Sequence, residues 1–321
     1  MTQSTLPSAT RARPSFLANW RSYVVYVGFA LVFIFFSIFL RDAGFLSSNN
    51  LLNIVRQTAT ISVMAVAMTF VIASGEIDLS VSSVAGLSSV LAALAIPHFG
   101  LLGGAAAGLL GGALVGVING SLVTGLGIPS FLVTLGMLGI ANGVAQWITA
   151  TAPVPILNDT FNNFFGSGDL GPIPSLFIWT LVALAVGHFL LRRTAFGRSV
   201  LAVGGNATAA RYSGINVART KFMVLLASGT VAGLAGMLYA GRLNSGRFQW
   251  GQGDELSVIA AVILGGTPLL GGAGTVFGAV LGALMIGLIN NGLILMGLEY
   301  SQQLIIRGAI IILAVALARR K

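Results

Sequence analysis

The sequence predicts an all-α integral membrane protein, with about ten transmembrane helices and an internal inverted repeat. Three observations carry this expectation. Of 321 residues, 56% are hydrophobic and only 8% charged, where an ordinary soluble domain is roughly a quarter charged. No soluble core would leave so little polar material for its surface, so lipid must be the outer solvent. Apolar runs near the roughly 20 residues that a bilayer core requires recur along the whole chain. The basic residues gather at the chain ends and in one loop, as a topology signal would place them.

In chain order, a basic tail (residues 1–22) precedes the first run, Tyr23–Leu40. Arg41 and Asp42 follow it where a signal peptide would need small residues for cleavage, so it reads as a retained span. Next come Leu51–Ser74, Val81–Pro97, Leu101–Thr124, Ser130–Ala150 and Pro174–Leu191. Phe222–Ala240, Leu256–Leu270, Val276–Met296 and Gln303–Ala318 complete the set, and 319–321 form a short tail. Around Gly75–Ser80 and Leu269–Thr275 the Gly, Thr and Pro content predicts broken or re-entrant helix. The spans from 23 to 318 make one transmembrane domain, interrupted by a long loop at 192–221.

With the N-terminus in the cytoplasm, ten spans return the C-terminus there. Arg11, Arg13, Arg21, the loop group from Arg192 to Lys221 and the tail Arg319, Arg320 and Lys321 then all lie inside. Trp20, Trp147, Trp179 and Trp250 fall near span ends, as an interfacial aromatic belt would have them.

Leu101–Leu122 (LLGGAAAGLLGGALVGVINGSL) and Leu269–Leu293 (LLGGAGTVFGAVLGALMIGLINNGL) share Leu-Leu-Gly-Gly, Gly-Ala-Leu and Gly-Val/Leu-Ile-Asn in order. They would be spans four and nine, which run in opposite directions, as in an inverted repeat with the pathway at the repeat interface. Gly100, Gly104, Gly108, Gly112, Gly116 and Gly120 recur at every fourth residue, as do Gly274, Gly278 and Gly282. Such stripes let helix backbones approach closely in lipid, either within one subunit or at a dimer seam.

Polar residues in or near the spans are few. Glu76 and Asp78 lie in SGEIDLS (Ser74–Ser80); Asp78 or Ser80 could cap the amides opening the third span or border a pathway. Asn119, Asn290 and Asn291 occupy matching repeat positions, suited to helix–helix hydrogen bonds or to a pathway. Arg56 and Arg307 read as snorkelling anchors, with Glu299 near the latter. His98 and His188 are isolated, and cysteine is absent, so neither thiolate sites nor metal clusters are expected.

Within the 192–221 loop a short helix is predicted at Ala207–Tyr212, capped by Asn206 and ended by Ser213-Gly214. The basic loop could hold anionic lipid headgroups, but a short capped helix flanked by glycines suits docking into a partner protein, with Ala209 and Ala210 as a small apolar face. No G-x-x-x-x-G-K-[S/T] loop exists to cradle ATP phosphates, and no H-E-x-x-H or G-x-S-x-G signature occurs. Neither an enzyme nor a cofactor-dependent reaction is expected, and the placement of the basic residues argues against nucleic acid as a partner.

Four stretches resemble a known family: SGEIDLSVSS (Ser74–Ser83), IPSFLVTLGM (Ile128–Met137), AFGRSVLAVGGNATAARYSGI (Ala195–Ile215) and AAVILGGTPLLGGAGTVFGAVLGAL (Ala260–Leu284). In order and spacing they look like permease subunits of bacterial ATP-binding-cassette importers, in the ribose and branched-chain amino acid branch. The first stretch departs from the commoner Gly-Gly-Ile-Asp-Leu-Ser-Val-Gly form, with Glu76 and Ser82 in place of glycines. The resemblance implies an inner-membrane transport subunit for a monosaccharide, paired with a second copy or a paralogue. It further implies a cytoplasmic ATPase docked on the segment around Asn206, Ala209, Ala210 and Gly214, and a periplasmic sugar-binding protein above. An ion-coupled carrier of a small polar solute is the competing reading; it usually needs several buried ionisable groups.

Overall fold

The computed structural model describes residues 16–318. The arginines at 11 and 13 and the tail 319–321, used above for orientation, lie outside the described residues, as do the side chains of Trp20, Arg21 and Arg307. The chain is an all-α membrane protein: α1 (Phe16–Phe39), α2 (Ser48–Ala73), α3 (Val81–Gly125), α4 (Ser130–Thr149), α5 (Asp159–Asn162), α6 (Ser175–Arg193), α7 (Ala195–Gly205), α8 (Ala207–Tyr212), α9 (Val217–Leu243), α10 (Asp254–Leu264), α11 (Val276–Leu295) and α12 (Tyr300–Ala318). Among the described residues, six of them, α2, α3, α4, α6, α9 and α11, are long and apolar enough to cross a membrane. Four two-residue strands make two antiparallel ladders, β1 (Val154–Pro155) with β4 (Ser245–Gly246) and β2 (Asp169–Leu170) with β3 (Ile173–Pro174).

The two runs expected at Val81–Pro97 and Leu101–Thr124 are the two arms of α3. Pro97 removes a helix hydrogen bond, and Gly100 then takes φ 65°, ψ −162°, outside the helical region. In a straight helix residues twelve apart stand about 18 Å from each other. Here a side chain added at Gly104 would sit 3.2 Å from the Ala92 carbonyl, and one at Gly108 would sit 3.4 Å from the Ala92 methyl. The helix therefore turns back on itself, and Gly100 marks the turn instead of belonging to the packing stripe.

That stripe has a partner which the sequence did not single out. A Cβ at Gly112 would strike the Gly229 carbonyl and lie 2.9 Å from Gly233 Cα; one at Gly116 would lie 2.8 Å from the Leu225 carbonyl. The second arm of α3 thus packs backbone to backbone on α9 of the same chain. Lipid provides no hydrophobic drive between helices, so close packing of this kind supplies the dispersion contacts that hold them together.

The run expected at Leu256–Leu270 is corrected. α10 stops at Leu264, because Gly265, Gly266 (φ 91°) and Pro268 cannot extend it, and the chain stays non-helical to Thr275. Gly274 consequently lies in this break, beside the Ala73 and Thr69 side chains, while Gly278 and Gly282 press on the Gly265 and Ala261 carbonyls. The other break, Ser74–Ser80, falls where the sequence indicated. Both breaks meet at the Ala73 end of α2, where the Gly272 amide donates to the Ala73 carbonyl at 3.0 Å.

The repeat segments run in opposite senses against α2. Asn119, near the end of its arm, donates to Ser80 Oγ at 3.0 Å, close to where α2 ends. Asn291, near the end of α11, exchanges hydrogen bonds of 3.0 and 2.8 Å with Asn50 at the start of α2. Asn290 beside it is half-buried.

Candidate functional site

At the Ala73 end the polar residues form one network. Asp78 is buried; one carboxylate oxygen accepts from the Ser80 amide at 2.9 Å and the Ser80 hydroxyl at 2.6 Å, the other from the Ser228 hydroxyl of α9 at 2.7 Å. The expected cap is thereby corrected: Asp78 closes a tight turn before α3, and neither the Asp78 nor the Ser80 side chain accepts from an amide inside the helix. With Asn119 on Ser80, this network ties the break to α9 and to the second arm of α3. Burying a carboxylate is costly unless its oxygens are bonded, and here three donors, two of them hydroxyls, serve them.

Exchanging Asp78 for Ala should destabilise the protein by about 1–3 kcal/mol, the cost of orphaning buried polar groups. Asp78→Asn, which still offers an acceptor to the Ser80 amide and a donor to the Ser228 oxygen, should melt closer to wild type. Wild-type melting of the Ala variant in detergent would show that the network carries no stability.

Glu76 forms an ion pair with Lys221 at the start of α9. The backbones of the break at 74–75, the end of α7 and the break at 271–272 converge nearby. A Cβ at Gly204 would collide with the Ala73 carbonyl and sit 2.7 Å from the Gly272 amide nitrogen. Arg192 Nη2 donates to the Gly274 carbonyl at 3.1 Å. The end of α7, just before α8, therefore touches both breaks directly.

α8 is built as its sequence indicates. Asn206 Oδ1 accepts from the Ala209 amide at 2.9 Å, and Gly214 at φ 84° lets the Gly214 and Ile215 amides close the last turn. The apolar face expected of Ala209 and Ala210 is corrected. Ala210 is 4% exposed, packed against Val203 and Val217 within the loop's own small core, whereas Ala209 is exposed. The outward side carries Tyr212, 88% exposed, with Thr208 and Arg211. Tyr212 was legible only as the last residue of the helix.

At the opposite end Arg56 pairs with both oxygens of Asp169, at 2.8 and 2.9 Å, instead of snorkelling alone. Trp179 stacks on Phe165 and donates to the Phe164 carbonyl at 3.0 Å, so it braces the 159–174 connection; Trp147 is exposed. A cavity of about 210 Å³ opens between α2, α6 and α9, bounded by Val66, Phe70, Trp179, Val186, Phe196 and Val231. Its lining presents no polar atom to a solute.

The family described as "Branched-chain amino acid transport system / permease component" matches residues 50–315. The "Probable ABC transporter permease protein YphD" of Escherichia coli strain K12 is 46% identical over 288 residues, 89% of this chain and 86% of that protein. The "Ribose import permease protein RbsC" of Bacillus subtilis is 40% identical, covering 88% of each. The "Xylose transport system permease protein XylH" of Haemophilus influenzae is 33% identical over 92% of this chain and 96% of its own. No solved structure matches. The broken helices, the turned-back α3 and the capped helix between α7 and α9 thus belong to a multi-pass transport subunit, not an enzyme, and the chain is a member of the branched-chain amino acid transport system permease-component family.

Proposed function

We propose that this chain is the permease subunit of an ATP-binding-cassette importer that carries a monosaccharide across a bacterial inner membrane. The observation that supports it most is similarity along most of the chain to proteins named as ribose and xylose permeases. The remaining parts follow from chemistry. The chain has no phosphate loop, so a separate ATPase must supply the energy, and α8 offers it a small, capped surface next to α7, whose end touches both breaks. A second permease subunit completes the pathway, and a secreted sugar-binding protein delivers to the end bearing the Arg56–Asp169 pair. The basic 192–221 loop and both termini face the cytoplasm, which places most arginines inside. In that orientation α1, α2, the two arms of α3, α4, α6, α9, α10 with its break, α11 and α12 make ten crossings.

The competing ion-coupled reading finds little support in Glu76 and Asp78: Glu76 is neutralised by Lys221, and Asp78 is bound to serines. Uptake of labelled pentose by cells carrying the whole system should stop on ATP depletion and continue when an uncoupler collapses the proton gradient at maintained ATP. Uptake that follows the gradient instead would overturn the importer reading.

A further inference from the structure

α10 begins inside the bundle, not at its edge. Ala261 packs on Gly282 and Gly265 on Gly278, so the eleven residues of α10 lie along the part of α11 nearest the Ala73 end. The segment leading to it dips inward along the first arm of α3. Gly246 packs on the Ser89 carbonyl, the Phe248 carbonyl lies against Gly86, and a Cβ added at Gly251 would lie 3.0 Å from the Ser82 carbonyl. Those contacts descend about 10 Å along that arm. Asp254, the first residue of α10, then accepts a hydrogen bond from the Tyr239 hydroxyl of α9.

Beside that hydroxyl stands Thr60, midway along α2 and wholly buried. Threonines inside helices ordinarily turn their hydroxyl to the carbonyl four residues back. Thr58, Thr69 and Thr180 do so here, at 2.8, 2.7 and 2.9 Å. The Thr60 hydroxyl makes no hydrogen bond of acceptable geometry, and neither does the buried Oε2 of Glu255, the second residue of α10. The Tyr239 ring stacks on Trp250, 6.4 Å between centroids, and Arg247 lies over the other ring at 5.4 Å. Eight buried side-chain atoms among the described residues lack a partner in this way; Thr60 and Glu255 are the two that stand next to the members of the Tyr239–Asp254 contact.

We propose that Thr60, Tyr239, Asp254 and Glu255, with the Trp250 ring, are the groups that a monosaccharide meets halfway through the membrane. The chemistry fits a neutral polyol. Carboxylates accept from sugar hydroxyls, the Thr and Tyr hydroxyls both donate and accept, and an aromatic face suits the apolar side of a pyranose or furanose ring. An anionic solute would face two carboxylates. The placement is the one that broken helices create in transporters, where a half-helix brings its end to the solute near the midplane. Thr60 has no exposure in this conformation, so the sugar reaches it only when the contact between α2 and α10 opens.

The proposal rests on the monosaccharide reading above and is tested in proteoliposomes holding the complete importer with its binding protein, using radiolabelled D-ribose, D-xylose and L-arabinose. Thr60→Val keeps the shape and loses the hydroxyl; Thr60→Ser keeps the hydroxyl and loses a methyl. Uptake of the transported sugar should fall at least tenfold in Thr60→Val and in Glu255→Gln, and stay within about threefold of wild type in Thr60→Ser. Exposed Glu299→Gln should transport as wild type. Uptake that follows the methyl instead of the hydroxyl, or that is the same in both Thr60 variants, overturns the site and leaves the importer reading standing. Failure of the wild-type importer to move any of the three sugars overturns both.

Discussion

Replacing Gly112 by Leu should leave little folded protein, whereas Leu110→Ala should leave nearly all of it. A Cβ at position 112 would overlap the Gly229 carbonyl and stand 2.9 Å from Gly233 Cα. Both obstacles are backbone, so no side chain can swing aside, and the second arm of α3 would have to leave α9. Overpacking typically costs about 1–3 kcal/mol, more where the surroundings cannot yield. Here Gly116 and Gly229 would lose their contacts along with Gly112. Leu110 is 68% exposed, towards lipid, and trimming it removes a surface that acyl chains can refill. Gly278→Leu should behave like Gly112→Leu, since its Cβ would collide with the Gly265 carbonyl. The measurement is the monodisperse yield and melting temperature in detergent; wild-type values for either glycine variant would show that these close approaches are dispensable.

The sequence makes one side of that packing visible and hides the other. A glycine at every fourth position from Gly104 to Gly120 announces a bare groove, but what fills it depends on tertiary contact. Gly229 and Gly233 on α9 are also four apart, a weaker signal, because two glycines in a glycine-rich chain are common. The break before α3 and the helix at Ala207–Tyr212 were legible because turn and cap residues act over three or four positions. α10 was not. Its apolar residues continue past Leu264 into Leu269 and Leu270, so hydropathy alone cannot separate helix from the glycine-rich break. Asp254 and Glu255 stand just before that run, a place in the sequence that does not reveal that the chain has already dipped inward before reaching them. Asp169, the partner of Arg56, lies 113 residues away from it in sequence, and no local pattern connects the two. The burial of Ala210 escaped for the opposite reason. A six-residue helix has too few positions to reveal which side packs on its own loop, and only the contacts of Val203 and Val217 decide it.

Because Ala210 is internal, the contact that transmits ATPase motion is best tested at Tyr212. An Asp at position 210 would destroy the small core with Val203 and Val217, and loss of transport would then report misfolding. Tyr212 touches little of its own chain, at 88% exposure, yet it stands on a helix fixed at both ends by Asn206 and Gly214. A rigid aromatic beside the exposed Arg211 has the composition of an interface hot spot, where truncation costs about 2 kcal/mol or more. That corresponds to at least about a thirtyfold weaker hold on the ATPase. Tyr212→Ala should therefore insert and melt as wild type, lose its ATPase during detergent purification, and abolish uptake. The chain contains no cysteine, so Tyr212→Cys supplies a unique label at the same place. A membrane-impermeant maleimide should modify it in inside-out vesicles and not in right-side-out ones, and bound ATPase should protect it. Labelling from the outer side would overturn the orientation. Equal labelling with and without ATPase, or co-purification of Tyr212→Ala at wild-type yield, would place the docking surface elsewhere on the loop.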